Sequence, residues 1–169
     1  MSDQVSRKAY LQTLPRKRVS PGCLFFDEVG RLLLVKPTYK DAWDIPGGVI
    51  EAGESPLAGC IREIHEELGL HWPPRRLLGI NYTAESPQRT ESLHFIFYGG
   101  VLPVEVIAAI RLPAKELSEY AFLEEAEALS RLNQRLCRRV AACLSLISTG
   151  VTAYLEENEL VWPAVDSAA

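Results

Sequence analysis

Apolar and polar positions change rhythm several times along this chain, and each change marks an element. Residues 19–26 form a mostly apolar run of strand length. Asp27-Glu28-Val29-Gly30 interrupts it as a turn, with Gly30 suited to positive φ. Residues 31–36 predict the returning strand of a hairpin, and the unbroken Leu32-Leu33-Leu34-Val35 predicts burial on both faces. Residues 37–42 read as a loop. From residue 55 to residue 68 the period becomes helical, with Leu57, Ile61, Ile64 and Leu68 as the expected core stripe. Ser55 is suited to cap this helix, Pro56 to its first turn and Gly69 to its end.

Beyond the helix, residues 76–84 read as a strand, 85–91 as a polar loop and 92–102 as a second, stronger strand. Residues 104–112 are apolar without a decisive period. Residues 116–123 look like a loop entering a short strand. Leu129, Leu132, Leu136, Val140, Cys143 and Leu144 recur at three- and four-residue spacing, which predicts one helix over 124–147, ended by Gly150. Residues 151–162 suit a final strand or a docked tail. Residues 1–14 are polar and lack periodicity, so a mobile or loosely docked lead-in is expected there, with 15–169 as a single domain. No internal repeat or linker divides the chain.

Composition changes this picture little. With 169 residues, 47% apolar and 24% charged, the chain is long enough for one real core. A net charge of −4 gives no general reason to expect nucleic-acid or membrane binding. The basic residues Arg7, Lys8, Arg16, Lys17 and Arg18 read first as a solvated arm, and second as a phosphate-contacting one. Cys23, Cys60, Cys137 and Cys143 lack metal-ligand spacing and sit in apolar surroundings, as expected of buried thiols in the cytoplasm. No apolar leader follows Met1, and no apolar run reaches membrane-spanning length. His94 reads as a satisfied sheet histidine rather than a ligand.

Charge within residues 55–68 is a different matter. Glu63, Glu66 and Glu67 fall at i, i+3 and i+4, so three carboxylates share one helical face. Like charges at this spacing repel, whereas a hard divalent cation would turn the repulsion into attraction. Gly47 and Gly48, just upstream, remove side-chain bulk where backbone can approach a ligand. Arg62 cannot lie among the core residues as a free charge.

Gly48, then Glu54 after five residues, then Arg62-Glu63-Ile64-His65-Glu66-Glu67-Leu68-Gly69-Leu70 after seven more, matches the Nudix box without departure. At about 7% usage per residue type, seven set identities agree by chance about once in 10⁸. Trp43, Pro46 and Gly47 resemble the lead-in usual in that family. The resemblance implies an α/β fold, specifically an α/β/α sandwich with a mixed β-sheet and a loop-helix-loop box. It implies hydrolysis of a nucleoside diphosphate linked to another moiety X, such as a nucleoside triphosphate or an ADP-ribose-like compound. Mg²⁺ is the implied cofactor, with Mn²⁺ as a substitute.

By that resemblance Glu63, Glu66, Glu67 and the Gly48 carbonyl are the expected metal ligands. Arg62 is assigned to orienting a glutamate, with Glu54 as its expected partner. The general base is expected from Glu116, with Glu119 and Glu66 as rivals. Tyr39, Trp43, Tyr82 and Phe97 are candidates for stacking on a base, although each suits the core or a rim better. Pro87 lies near the position of a proline found in some ADP-ribose-cleaving relatives. The expected partner is a small nucleotide, with no specific nucleic acid and no membrane; a homodimer is compatible with such a chain. Two other readings share the fold: a nucleotide sensor that does not cleave, and an isoprenoid diphosphate isomerase. The intact set of box glutamates favours the hydrolase.

Overall fold

The computed structural model describes residues 2–163, with side-chain surroundings from Arg7 onward. Met1 and residues 164–169, the outer ends of the expected lead-in and domain, lie outside the described residues. Among the described residues, five helices and seven strands run in the order α1 (Ser2–Thr13), β1 (Arg18–Phe26), β2 (Leu32–Pro37), α2 (Pro56–Leu68), β3 (Arg76–Thr83), β4 (Ser92–Val101), α3 (Val104–Ala108), β5 (Leu117–Leu123), α4 (Glu125–Arg131), α5 (Gln134–Ser145), β6 (Ala153–Glu156) and β7 (Glu159–Trp162).

All seven strands join one mixed sheet, ordered β5-β2-β1-β4-β3-β6-β7. The β1–β4 and β3–β6 pairs are parallel, and the remaining neighbours are antiparallel. Side chains alternate across a strand, so β1 and β2 feed two cores at once. Cys23, Phe25, Leu33 and Val35 pack on one face with Cys60, Ile64 and Leu68 of α2. Leu24, Leu32 and Leu34 pack on the other with Ala128, Leu132, Leu136, Val140 and Cys143 from α4 and α5. Helices thus cover both faces, which gives the expected α/β/α sandwich and the two-sided burial expected of β2. Among the described residues, no helix is long and apolar enough to cross a membrane.

Several expectations need correction. The β1–β2 hairpin pairs in register only next to its turn, at Phe26 and Leu32. Farther along, residues 43–50 wedge between the two strands. Asp44 exchanges backbone bonds with Val35 (both 2.9 Å), while Cys23 N–H donates to the Pro46 carbonyl (2.9 Å) and Gly48 N–H to that of Pro21 (3.2 Å). Pro21 has no N–H to give, so a strand carrying it suits a place where the ladder is interrupted.

The buried stripe of α2 is Gly59, Cys60, Ile64 and Leu68; Leu57 and Ile61 are 46% and 39% exposed. The helix is rotated so that Cys60, rather than Leu57 or Ile61, joins Ile64 and Leu68 in the core under the sheet. The helix expected over 124–147 breaks at Leu132-Asn133. Leu132 bridges to Trp43, and the Asn133 side chain accepts from Leu136 N–H (3.1 Å) to cap α5. The lead-in forms a helix despite its weak periodicity, and its side chains from Arg7 to Thr13 are exposed. Residues 104–112 contain the short α3, and residues 151–162 hold two strands that turn back on each other.

Candidate metal and phosphate site

The ends of α2 are fixed by the sequence devices described above. Ser55 Oγ accepts from Ala58 N–H (3.1 Å), and Pro56 occupies the first turn. Gly69 takes a left-handed conformation at φ 70° and donates to the His65 carbonyl at 2.9 Å. With both ends held, the carboxylate face of α2 is presented to the wedge loop at Gly47 and Gly48.

Arg62 organises that face. Its Nε and one terminal nitrogen donate to the two oxygens of Glu54, both at 3.1 Å. Its other terminal nitrogen donates to Glu63 (2.9 Å) and to Glu66 (2.7 Å). The Val49 carbonyl accepts a further bond at 3.0 Å, which ties the loop after Gly48 to the helix. The planar fork of arginine suits such bidentate contacts. These bonds, that to Glu54 first, raise the Arg62 pKa above the ordinary arginine value and hold Glu54 below the usual carboxylate range.

Glu67 points the other way and accepts from Gly47 N–H at 2.8 Å. Burial pushes its carboxyl up to about 8, and the charges of Glu63, Asp44 and Glu116 add to the effect. Burial also raises Glu63, although Arg62 opposes the shift. Two desolvated carboxylates that repel each other form a donor set that favours a hard cation. Among the described residues no three acidic, His or Cys side chains form a ready-made cage. The reason is visible in the bonds: Arg62 holds Glu63 and Glu66, while the Gly47 amide holds Glu67. Mg²⁺ takes one or two protein carboxylates and completes its shell with water and phosphate, so a full cage is not required. The residues present therefore fit a divalent cation.

The remaining candidates are spread unevenly. Glu116 is exposed, and its charge acts on both Glu63 and Glu67. Glu119 is exposed and pairs in the ladder with Lys36. Trp43 and Phe97 are 8% and 7% exposed and belong to the two cores. Tyr82 donates to Glu91 at 2.6 Å. Of the four aromatic candidates, Tyr39 alone lines the cavity of about 320 Å³ beside Gly47 and Gly48. Pro87 lies in the exposed β3–β4 loop. His94 is satisfied as expected: its ring nitrogens face Ser20 Oγ at 2.6 Å and Ser92 Oγ at 3.1 Å. Arg139 of α5 and Lys40 also line the cavity, and the sequence reading missed both. The available signal was an arginine at position 139 inside the apolar stripe Leu136, Val140 and Cys143.

The two loop glycines make separable predictions. A Cβ at Gly47 would lie 2.3 Å from the Pro21 carbonyl oxygen, at a φ of 148°. Gly47→Ala is expected to cost about 1–3 kcal/mol in urea unfolding, because backbone must move against backbone. A Cβ at Gly48 would lie 2.2 Å from a Glu63 carboxylate oxygen. That side chain can swing away, so Gly48→Ala should leave the urea midpoint nearly unchanged and lower kcat/KM about tenfold or more.

A NUDIX domain model matches residues 16–142. The chain is 36% identical over 76 residues to diphosphoinositol polyphosphate phosphohydrolase 2 of Mus musculus, covering 44% of this chain and 42% of that protein. It is 36% identical over 66 residues to a MutT-like protein of Streptomyces ambofaciens, covering 39% and 43% respectively. The chain thus spans less than half the length of these curated relatives. The MutT protein of Methanosarcina mazei Go1 superposes with a TM-score of 0.64 at 21% identity, over 81% of this chain and 98% of that one, a likeness of fold. With the box intact on a capped helix and the family model spanning most of the sheet, the chain belongs to the Nudix family.

Proposed function

We propose that this chain is a metal-dependent pyrophosphohydrolase that cleaves a diphosphate linking a nucleoside to a further moiety X. The observation that carries the reading is the Arg62 network, which links Glu54, Glu63, Glu66 and the Val49 carbonyl beside the half-buried Glu67. Glu63, Glu66, Glu67 and the Gly48 carbonyl would hold Mg²⁺, or Mn²⁺ in its place. Bound there, the cation would supply charge neutralisation for the diphosphate and a water of lowered pKa.

The chain's own residues set up the reaction around that group. Arg62 and Glu54 act as positioning residues that fix the carboxylates before substrate arrives, so less reorganisation falls within the reaction. The Gly47–Gly48 backbone leaves room for a phosphate against the helix. Glu116 is assigned as the general base, since it is the loop carboxylate whose charge reaches both Glu63 and Glu67.

The relatives' names supply compounds to try: ADP-ribose, in which X is ribose, from a pyrophosphatase of the same fold, and diphosphoinositol polyphosphate, which carries a diphosphate but no nucleoside, from a curated relative. The test is a panel of nucleoside triphosphates, ADP-ribose, a UDP-sugar and a diphosphoinositol polyphosphate, each with Mg²⁺ and with Mn²⁺, scored by product identity. Metal-dependent cleavage at an anhydride is expected for at least one. Intact recovery of every compound would overturn the reading, and tight binding without cleavage would put a nucleotide-sensing module in its place.

A further inference from the structure

The cavity beside the wedge loop carries a charge pattern that cleavage of a diphosphate alone does not use. Arg18 of β1, Lys40 of the loop after β2 and Arg139 of α5 line it, against one carboxylate, Asp44. Lys40 is ion-paired with that carboxylate. Among the described residues, Arg18 and Arg139 form no ion pair. Gly47, Gly48 and Val49 close the same cavity, so it adjoins the proposed metal ligands.

Arg139 is the most informative member of this group. It lies between Leu136 and Val140 on the face that α5 packs against the sheet. Its stem therefore follows the core, and its head reaches the cavity wall. Its one hydrogen bond among the described residues is a long Nε donation to the Arg135 carbonyl, at 3.4 Å. Burial draws the group down to about 10. Arg139 is half-buried, and charged side chains drawn partly out of water in folded proteins are normally paired. The wall responds to this charge at a neighbouring point: His94, which also lines the cavity, is held neutral by burial and then by Arg139, Arg18 and Arg89.

Among the described residues, no buried Trp, Tyr or Phe lines the cavity. Its aromatic member, Tyr39, is 77% exposed, and Trp43 and Phe97 are held in the cores. Guanidinium forks at a pocket wall match phosphoryl oxygens in both charge and shape. We propose that this cavity is an anion subsite, and that the moiety X carries at least one phosphoryl group besides the diphosphate that is cut, gripped by Arg18 and Arg139. The placement of X rests on the hydrolase reading; the anion subsite itself does not.

The test uses the whole chain in EDTA, so that binding through a cation on the box carboxylates does not contribute. Inositol hexakisphosphate and inorganic tripolyphosphate are titrated calorimetrically. Both should bind the wild type, more weakly at high salt. Arg139→Gln should weaken binding tenfold or more, and Arg139→Lys less. Arg138→Gln, at the next position on α5 but exposed and paired with Glu159, should change it less than twofold. No binding to the wild type, unchanged affinity in Arg139→Gln, or an equal loss in Arg138→Gln would overturn the proposal. Should Arg139→Gln fail to fold, Arg18→Gln decides: Arg18 is exposed, and a fivefold loss supports the subsite while no loss overturns it. Turnover of the substrate panel without Arg139-dependent binding removes the subsite and leaves the hydrolase. Arg139-dependent binding with no turnover does the reverse.

Discussion

Glu66→Gln is expected to lower metal-dependent hydrolysis by about 10³-fold while leaving the unfolding midpoint almost unchanged. The two halves of this prediction come from different features of one side chain. For stability, Glu66 is an exposed carboxylate whose one ion pair is the 2.7 Å contact with Arg62. Surface ion pairs of this kind contribute about 0–1 kcal/mol, and Arg62 keeps its bonds to Glu54, Glu63 and the Val49 carbonyl when Glu66 is neutral. For activity, the amide keeps the shape of the carboxylate but removes the negative charge a cation needs. Loss of one preorganised electrostatic group at a reacting centre typically costs 10²–10³-fold, and loss of a metal ligand is expected at the upper end. Steady-state rates with saturating Mg²⁺, set beside urea unfolding, check both halves. Near wild-type turnover would remove Glu66 from the metal site. A large drop in the midpoint would make it a structural residue instead. Arg62→Gln offers the contrast, since it leaves Glu54 and Glu63 without their shared cation, and both stability and turnover should fall.

The contrast between Glu66 and Arg62 also shows which parts of this molecule can be read from sequence. The box was legible because its identities and its helix devices are local: Ser55, Pro56 and Gly69 act within one turn of themselves. The two-sided burial of β2 was legible for the same reason, since a continuous apolar run has few other fates. What depends on distant pairing was not. The wedge of residues 43–50 between β1 and β2 requires bonds from Asp44 to Val35 and from Gly48 to Pro21, which no local pattern encodes. Leu57 and Ile61 were expected inside because spacing defines a stripe but not its exact rotation, and the helix instead buries Gly59, Cys60, Ile64 and Leu68. The break at Leu132-Asn133 follows from a bridge to Trp43, nearly ninety positions earlier. Arg139 falls in the same class: an arginine in an apolar stripe is visible in sequence, but the cavity it faces is assembled from β1, β4 and the wedge loop.

His94 gives the largest pH effect expected of a single group away from the carboxylates. Its ring is held neutral, with its pKa drawn down to about 3 by burial first, then by Arg139, Arg18 and Arg89. In the unfolded chain the same side chain takes up a proton near 6.5. Below that pH the unfolded state binds more protons than the folded one, so the contribution of His94 to stability is complete above about 6.5 and declines as pH falls towards 3. One such group changes stability by up to about 1.4 kcal/mol per pH unit, or about 2–3 kcal/mol between pH 6.5 and 4.5. Glu67 acts in the opposite sense over the same interval. Its folded pKa of about 8 lies above the unfolded carboxylate value, so its contribution is greatest at low pH and is lost as pH rises through 8. In the metal-free wild type the two slopes offset each other and a flat profile is expected. Glu67→Gln should therefore expose the histidine limb, with urea stability falling by about 2–3 kcal/mol from pH 6.5 to 4.5. Adding His94→Gln, whose amide can still serve Ser20 and Ser92, should remove more than half of that fall. Equal slopes in the single and double variants would show that His94 protonates as freely in the folded protein as in the unfolded chain, and that the arginines around it do not act on it.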